Sequence, residues 1–108
     1  MQTVFQNEAS ARAGAWLGVS LQAIAGNYDL VAALGAGAEC AAVVKADAYG
    51  LGTDRVAPVL VARGAKTFFV AHLDEGIALR VTLPEARIFV LHGFMPGCEG
   101  SMHAHGIL

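Results

Sequence analysis

Lys45 is the residue of this chain best placed to do covalent chemistry, and that chemistry would be an amine's. It closes the run Ala41-Ala42-Val43-Val44-Lys45 and is followed by Ala46-Asp47-Ala48-Tyr49-Gly50-Leu51-Gly52. A lysine leaving the end of a buried strand stands where parallel α/β architectures gather their ligands, because the loops there vary without disturbing the sheet. A partly desolvated amine has its charged form disfavoured. The neutral amine attacks an aldehyde and holds it as an imine. Tyr49 could turn a hydroxyl toward an anionic part of such an aldehyde, and the glycines at 50 and 52 would let backbone come close. A lysine at a strand end is more often a solvated loop residue, and position alone leaves both readings open.

Two other groups of side chains invite a chemical reading. His92, Cys98, His103 and His105 lie close in sequence, and neutral imidazole with thiolate binds zinc. Their spacing fits no closed zinc motif, and a His-x-His pair in a tail is usually a solvated loop. Asp74 and Glu75 could form a paired-carboxylate site, but at the start of a helix they serve the helix dipole. No metal site is expected.

The elements that must position Lys45 follow from the apolar pattern. Leu21, Ile24, Tyr28, Val31 and Leu34 form a stripe at spacings of three and four, which predicts a helix with Ser20 as its N-cap and Gly35 and Gly37 as its stop. Cys40 to Lys45 reads as a buried strand. Thr53 and Asp54 offer N-caps for a second helix running to Gly64, in which Pro58 fits only within the first turn. Thr67 to Ala71 and Arg87 to Leu91 read as further strands, with a short helix over Leu73 to Arg80 between them. The tail from Met95 is loop-like, turning helical near Glu99 to His105. Strands alternating with helices predict a parallel sheet. Strands apolar throughout suit cover on both faces. Residues 1–15 lack periodicity and read as an N-terminal extension, with 16–108 as one unit.

Composition narrows the class. Of the 108 residues, 56% are hydrophobic and 15% charged, yet the apolar runs are short and broken by Gly, Asp, Arg and Lys. That argues against a transmembrane helix and for buried strands under covering helices. A formal net charge of -2 offers no basic stripe for nucleic acid and no polybasic membrane anchor. The first residues lack the pattern of a signal peptide, and two cysteines cannot build a disulfide framework, so a cytoplasmic location is expected.

The segment Val43-Val44-Lys45-Ala46-Asp47-Ala48-Tyr49-Gly50-Leu51-Gly52 resembles the attachment signature for pyridoxal 5'-phosphate (PLP) in alanine racemases. Three flanking blocks are similar to the same family. Val19 to Tyr28 resembles its opening strand and first helix, Phe68 to Arg80 its second strand and helix, and Ile88 to Phe94 its third strand. The resemblance runs from about Trp16 to the end. It implies an α/β fold made of the first three to four βα units of a PLP-binding (β/α)8 barrel, incomplete in this chain. A fourth strand would begin at His105 to Leu108.

The resemblance also implies roles. Lys45 would be the Schiff-base lysine and catalytic base, and Tyr49 a hydroxyl on the cofactor phosphate. Val43 and Leu91 match apolar positions lining the cofactor pocket. Ser20 departs from the family, which usually has Asp there. The implied function is interconversion of L- and D-alanine, or of another small amino acid, supplying D-alanine for peptidoglycan, by a homodimer with no nucleic-acid or membrane partner. The family's opposite base is a tyrosine of the partner subunit, and this chain, expected to be inactive alone, has only Tyr28 and Tyr49. The alternatives are a PLP-binding barrel without racemase activity, whose members lack the Tyr-Gly-x-Gly turn, and a metal or interaction module.

Overall fold

A computed structural model describes residues 8–108. Residues 1–7 of the expected extension lie outside the described residues. The remainder forms one short helical turn, α1 (Glu8–Ala11), and an exposed segment through Ser20. No strand precedes the next helix among the described residues, so the expected opening strand near Val19 is absent.

Helix α2 (Leu21–Leu34) begins where Ser20 caps it, its hydroxyl oxygen accepting from Ala23 N at 3.1 Å, and stops at Gly35. Its packed stripe differs from the expected one. Leu21, Ile24 and Tyr28 lie against the core and Ala25 is buried, but Val31 and Leu34 face solvent. An α-helix turns 100° per residue, so a face carried by Ala25 and Tyr28 continues through Ala32 rather than Val31. The Tyr28 hydroxyl donates to the Cys40 carbonyl at 2.9 Å, bolting α2 to the entry of the sheet. Partial burial, then the negative groups at Cys40, Glu39 and Asp29, push that phenol up, so it stays a donor. Asp29 pairs with Arg63.

Strand β1 (Ala42–Val43) pairs in parallel with β2 (Thr67–Val70), which pairs in parallel with β3 (Arg87–Val90). The ladder aligns Ala42 with Phe68 and Ile88, and Val43 with Phe69 and Phe89. The first row faces the helices and is buried. The second faces away, with the Phe69 and Phe89 rings stacked at 5.1 Å. Cover on both faces is thus not found: Val43 stays 44% exposed. β1 is shorter than expected because Val44, although its N–H still donates to Phe69, turns out of the extended region at ψ 25°. Past α6 (Glu99–Ala104), Ile107 forms a parallel bridge with Ile88, the start of pairing expected for a fourth strand.

Helices α4 (Thr53–Ala62) and α5 (Leu73–Thr82) cover the sheet's buried face, with Val56, Ala57, Leu60 and Leu79 against Val44, Phe68, Val70 and Ile88. Fully burying side chains of this size stabilises by roughly 1.5–3 kcal/mol each. A Cβ on Gly76 would meet Ile107 Cδ1 at 3.1 Å, so this glycine lets α5 approach the sheet closely. Pro58 sits in the second turn of α4, not the first, and the N-cap is Gly52 rather than Thr53 or Asp54. The helix forgoes one backbone bond there.

Charged side chains tie the elements together. Arg80 donates to the carbonyls of Leu83, Pro84, Ala86, His105 and Gly106, filling a fork of donors with backbone oxygens from two segments. At the amino end of the sheet, Glu39 accepts from Thr67 Oγ1 at 3.0 Å and from Arg87 Nη2 at 2.5 and 2.7 Å. The bond from Arg87, then that from Thr67, holds the Glu39 carboxyl below its ordinary range.

Candidate functional site

The carboxyl end of β1 runs into a turn of unusual hand. In α3 (Lys45–Tyr49), Ala46, Asp47 and Ala48 all lie near φ 51–55°, ψ 47–49°, with Tyr49 at φ 56° and Gly50 at φ 85°. This is a left-handed helical turn, closed by Gly50 N to Ala46 O at 3.0 Å. Residues with a Cβ pay about 1–2 kcal/mol each for that hand. Small or unbranched side chains at 46–49 keep the cost low enough for neighbouring bonds to offset.

Those neighbouring bonds come from two carboxylates and a hydroxyl. Asp47 Oδ1 accepts from Thr53 N at 2.8 Å, and Thr53 Oγ1 donates to the Val44 carbonyl at 3.2 Å, so Thr53 braces the turn instead of capping α4. Glu75 reaches across from α5. Its Oε2 accepts from Ala46 N at 2.7 Å, and its Oε1 accepts from Ala71 N at 2.9 Å and His72 N at 3.2 Å. The short helix start therefore holds the turn as well as its own first amides. Sequence reasoning assigned Glu75 to the helix dipole alone. The glutamate three residues after the N-cap signals the local bond to His72, but nothing in the sequence signals a partner 29 residues away.

The turn brings Lys45 and Tyr49 together. Lys45 is half-buried, and its Nζ lies 5.9 Å from the centre of the Tyr49 ring, within the range of a cation–π contact. Tyr49 is 63% exposed, and among the described residues its hydroxyl has no hydrogen-bond partner to compete with an incoming acceptor. Val43 lies on the sheet face turned away from the helices. Leu91 follows directly on β3, 53% exposed, with its N–H donating to Val70 O at 2.8 Å. By strand alternation it continues the face of Phe89, so Val43, Phe69, Phe89 and Leu91 form one apolar floor beside the carboxyl ends of the strands. Lys45 and Tyr49 thus meet in the turn after β1, while Val43 and Leu91 lie on the two outer strands with β2 between them.

The other sequence candidates fall elsewhere. The His72 and His92 rings touch at 5.1 Å beside a cavity of about 330 Å³ that Cys98 also lines. His105 Nδ1 meets the Ser101 carbonyl at 2.8 Å on α6. Among the described residues no three His, Cys, Asp or Glu side chains are grouped to hold a metal ion. No helix there is long and apolar enough to cross a membrane.

Known proteins share this fold. The family model described as alanine racemase, N-terminal domain, matches residues 19–107. The chain is 56% identical over 84 residues to an alanine racemase of Methylobacterium sp. (strain 4-46), covering 78% of this chain and 23% of that one. It is 47% identical over 104 residues to an alanine racemase of Brucella ovis, covering 95% and 26%. The alanine racemase of Bartonella henselae, solved with covalently bound pyridoxal phosphate, superposes with a TM-score of 0.80 at 42% identity over 83% of this chain and 25% of that one. The biosynthetic alanine racemase of Pseudomonas aeruginosa gives 0.75 at 34% identity, over 81% and 24%. The chain thus spans about a quarter of the length of the curated relatives it matches. The expected architecture, the first βα units of a barrel with a parallel sheet, agrees with these neighbours. The chain belongs to the alanine racemase N-terminal domain family.

Proposed function

We propose that this chain supplies the cofactor-anchoring part of a PLP-dependent amino-acid racemase acting on alanine. The observation that carries the reading is Lys45 Nζ beside the Tyr49 ring at the carboxyl end of β1, at the edge of the floor made by Val43 and Leu91. The residues present fit the cofactor: an amine for its aldehyde, an exposed phenol for its phosphate, and an apolar floor for its ring. When bound, PLP supplies an electron sink that stabilises charge at the carbon alpha to an amino group.

The chain's own groups would do the rest. Lys45 Nζ would hold the cofactor covalently as a Schiff base and, as a free amine, take or return a proton on one face of the alpha carbon. Tyr49 would fix the phosphate end. Tyr28, committed to the Cys40 carbonyl behind the sheet, is not available as the second base. With Tyr28 held there and Tyr49 assigned to the phosphate, the 108 residues would not racemise alanine alone. The whole enzyme would act as a cytoplasmic homodimer feeding D-alanine to peptidoglycan, with residues 1–15 an extension outside the barrel unit.

The test incubates the chain with PLP, reads the imine band, and locates the borohydride-reduced adduct by peptide mass. Modification at Lys45, lost in Lys45→Ala, is expected. An identical spectrum from both chains would overturn the assignment.

A further inference from the structure

We infer that Glu75 is a positioning residue for Lys45, holding the left-handed turn in register with the end of β2. The inference rests on the reading of Lys45 as the cofactor-anchoring amine. The Glu75 carboxylate divides its oxygens between two elements: Oε1 takes the Ala71 and His72 amides, and Oε2 takes the Ala46 amide. Ala46 N is the peptide nitrogen directly after Lys45, so the bond acts on the Lys45 peptide itself. It is also the shortest of the three, at 2.7 Å, in the range of a charge-assisted hydrogen bond.

Helix capping alone does not account for this geometry, because the His72 bond already completes the cap and the Ala46 bond adds nothing to α5. Packing holds the turn at Ala48, which is buried in the core, but not at Ala46 and Asp47, which are exposed. Behind the turn lies a cavity of about 300 Å³ bounded by Val44, Asp47, Thr53, Val70, Glu75 and Leu79, into which a released turn could settle. Ala46 is itself exposed. A segment in a costly conformation, next to empty space, keeps its place through directed bonds. The Glu75 link joins the turn to the neighbouring strand, whereas the Asp47 and Thr53 bonds stay within β1, the turn and α4.

The test compares the unmodified chain with Glu75→Gln, which keeps size but cannot accept at both ends. Three readouts separate the roles. Amide hydrogen exchange at Ala46 is expected to rise about tenfold or more in Glu75→Gln, with β2 amides at Phe68 and Val70 unchanged. The ring-current shift of the Lys45 side-chain protons by Tyr49 is expected to fall toward the unfolded value. The rate of borohydride-trapped PLP attachment at Lys45 is expected to fall about tenfold. Adding Ala46→Gly, which lowers the cost of the left-handed hand, should recover the ring-current shift and the attachment rate. A residue that only caps α5 would not be rescued this way. Unchanged Ala46 exchange, or an unchanged ring-current shift, overturns the inference. If the unmodified chain takes no PLP, the function proposed for Lys45 fails, while exchange and ring-current shift still decide the role of Glu75. Where Glu75→Gln does not fold, the through-hydrogen-bond coupling between Ala46 nitrogen and the Glu75 carboxylate carbon in the unmodified chain decides, and its absence overturns the inference.

Discussion

Replacing Ala46 by glycine should stabilise this chain, the reverse of what the change does on an ordinary helix surface. Ala46 sits at φ 51°, ψ 48°, where a residue bearing a Cβ costs about 1–2 kcal/mol. Glycine removes that cost and gives back about 0.5–1 kcal/mol through the greater freedom of its unfolded state. Ala46 is exposed, so no packing is lost, and its backbone bond to Glu75 survives the change. The net gain is about 0.5–1 kcal/mol, or a rise in Tm of about 2–8 °C for a domain of this size. Urea unfolding followed by far-UV circular dichroism measures it, with the slope checked for constancy. A loss of about 1 kcal/mol, the penalty for glycine in a right-handed helix, would refute the left-handed assignment.

Gly26→Ala should also stabilise, by about 0.5–1 kcal/mol, because Gly26 lies inside right-handed α2 with nothing within 4 Å of an added Cβ; an unmoved urea midpoint would contradict it. Phe68→Ala, at a position with no exposure between sheet and helices, should cost about 3–5 kcal/mol and appear as a lower midpoint. Acid should weaken the fold through Glu39, whose carboxyl is held below its ordinary range by Arg87. The folded state then binds the proton less readily than the unfolded chain, so this contribution is present above the ordinary glutamate value of about 4.3 and is lost as pH falls through the lowered one. Glu39→Gln should flatten that part of the stability–pH curve, and a curve that keeps its shape would count against the linkage.

Much of the fold was legible in the residues because its signals are local. Ser20 marks the start of α2 by a bond three residues long, and the all-apolar runs around Val44, Phe68 and Ile88 mark buried strands wherever the chain goes next. The errors lie where tertiary partners decide. Val31 and Leu34 fit a helical stripe as well as Ala32 does, and only the position of α4 selects the face that packs. Pro58 is tolerated one turn deeper than propensity allows because Val56, Ala57 and Leu60 around it are anchored in the core. At the candidate site, the nearness of Lys45 and Tyr49 followed from their spacing of four, and the roles proposed for them from the resemblance. Glu75 was not, because its bond to Ala46 closes a loop of 29 residues. Nor was the hand of the turn, since Ala-Asp-Ala-Tyr is equally compatible with a right-handed one.

That hand restricts which mutations the site can absorb. At Ala46, whose exposed side chain makes no bond, saturation mutagenesis should return Gly and Asn as tolerated and reject Val, Ile and Thr, whatever their polarity, because branching at Cβ is what the mirror-image backbone excludes. At Ala48, which is buried as well, size should restrict the choice further. The position next to Lys45 can therefore drift in charge and hydrophobicity while its side-chain branching stays constrained, and a substitution matrix built on polarity would misjudge it.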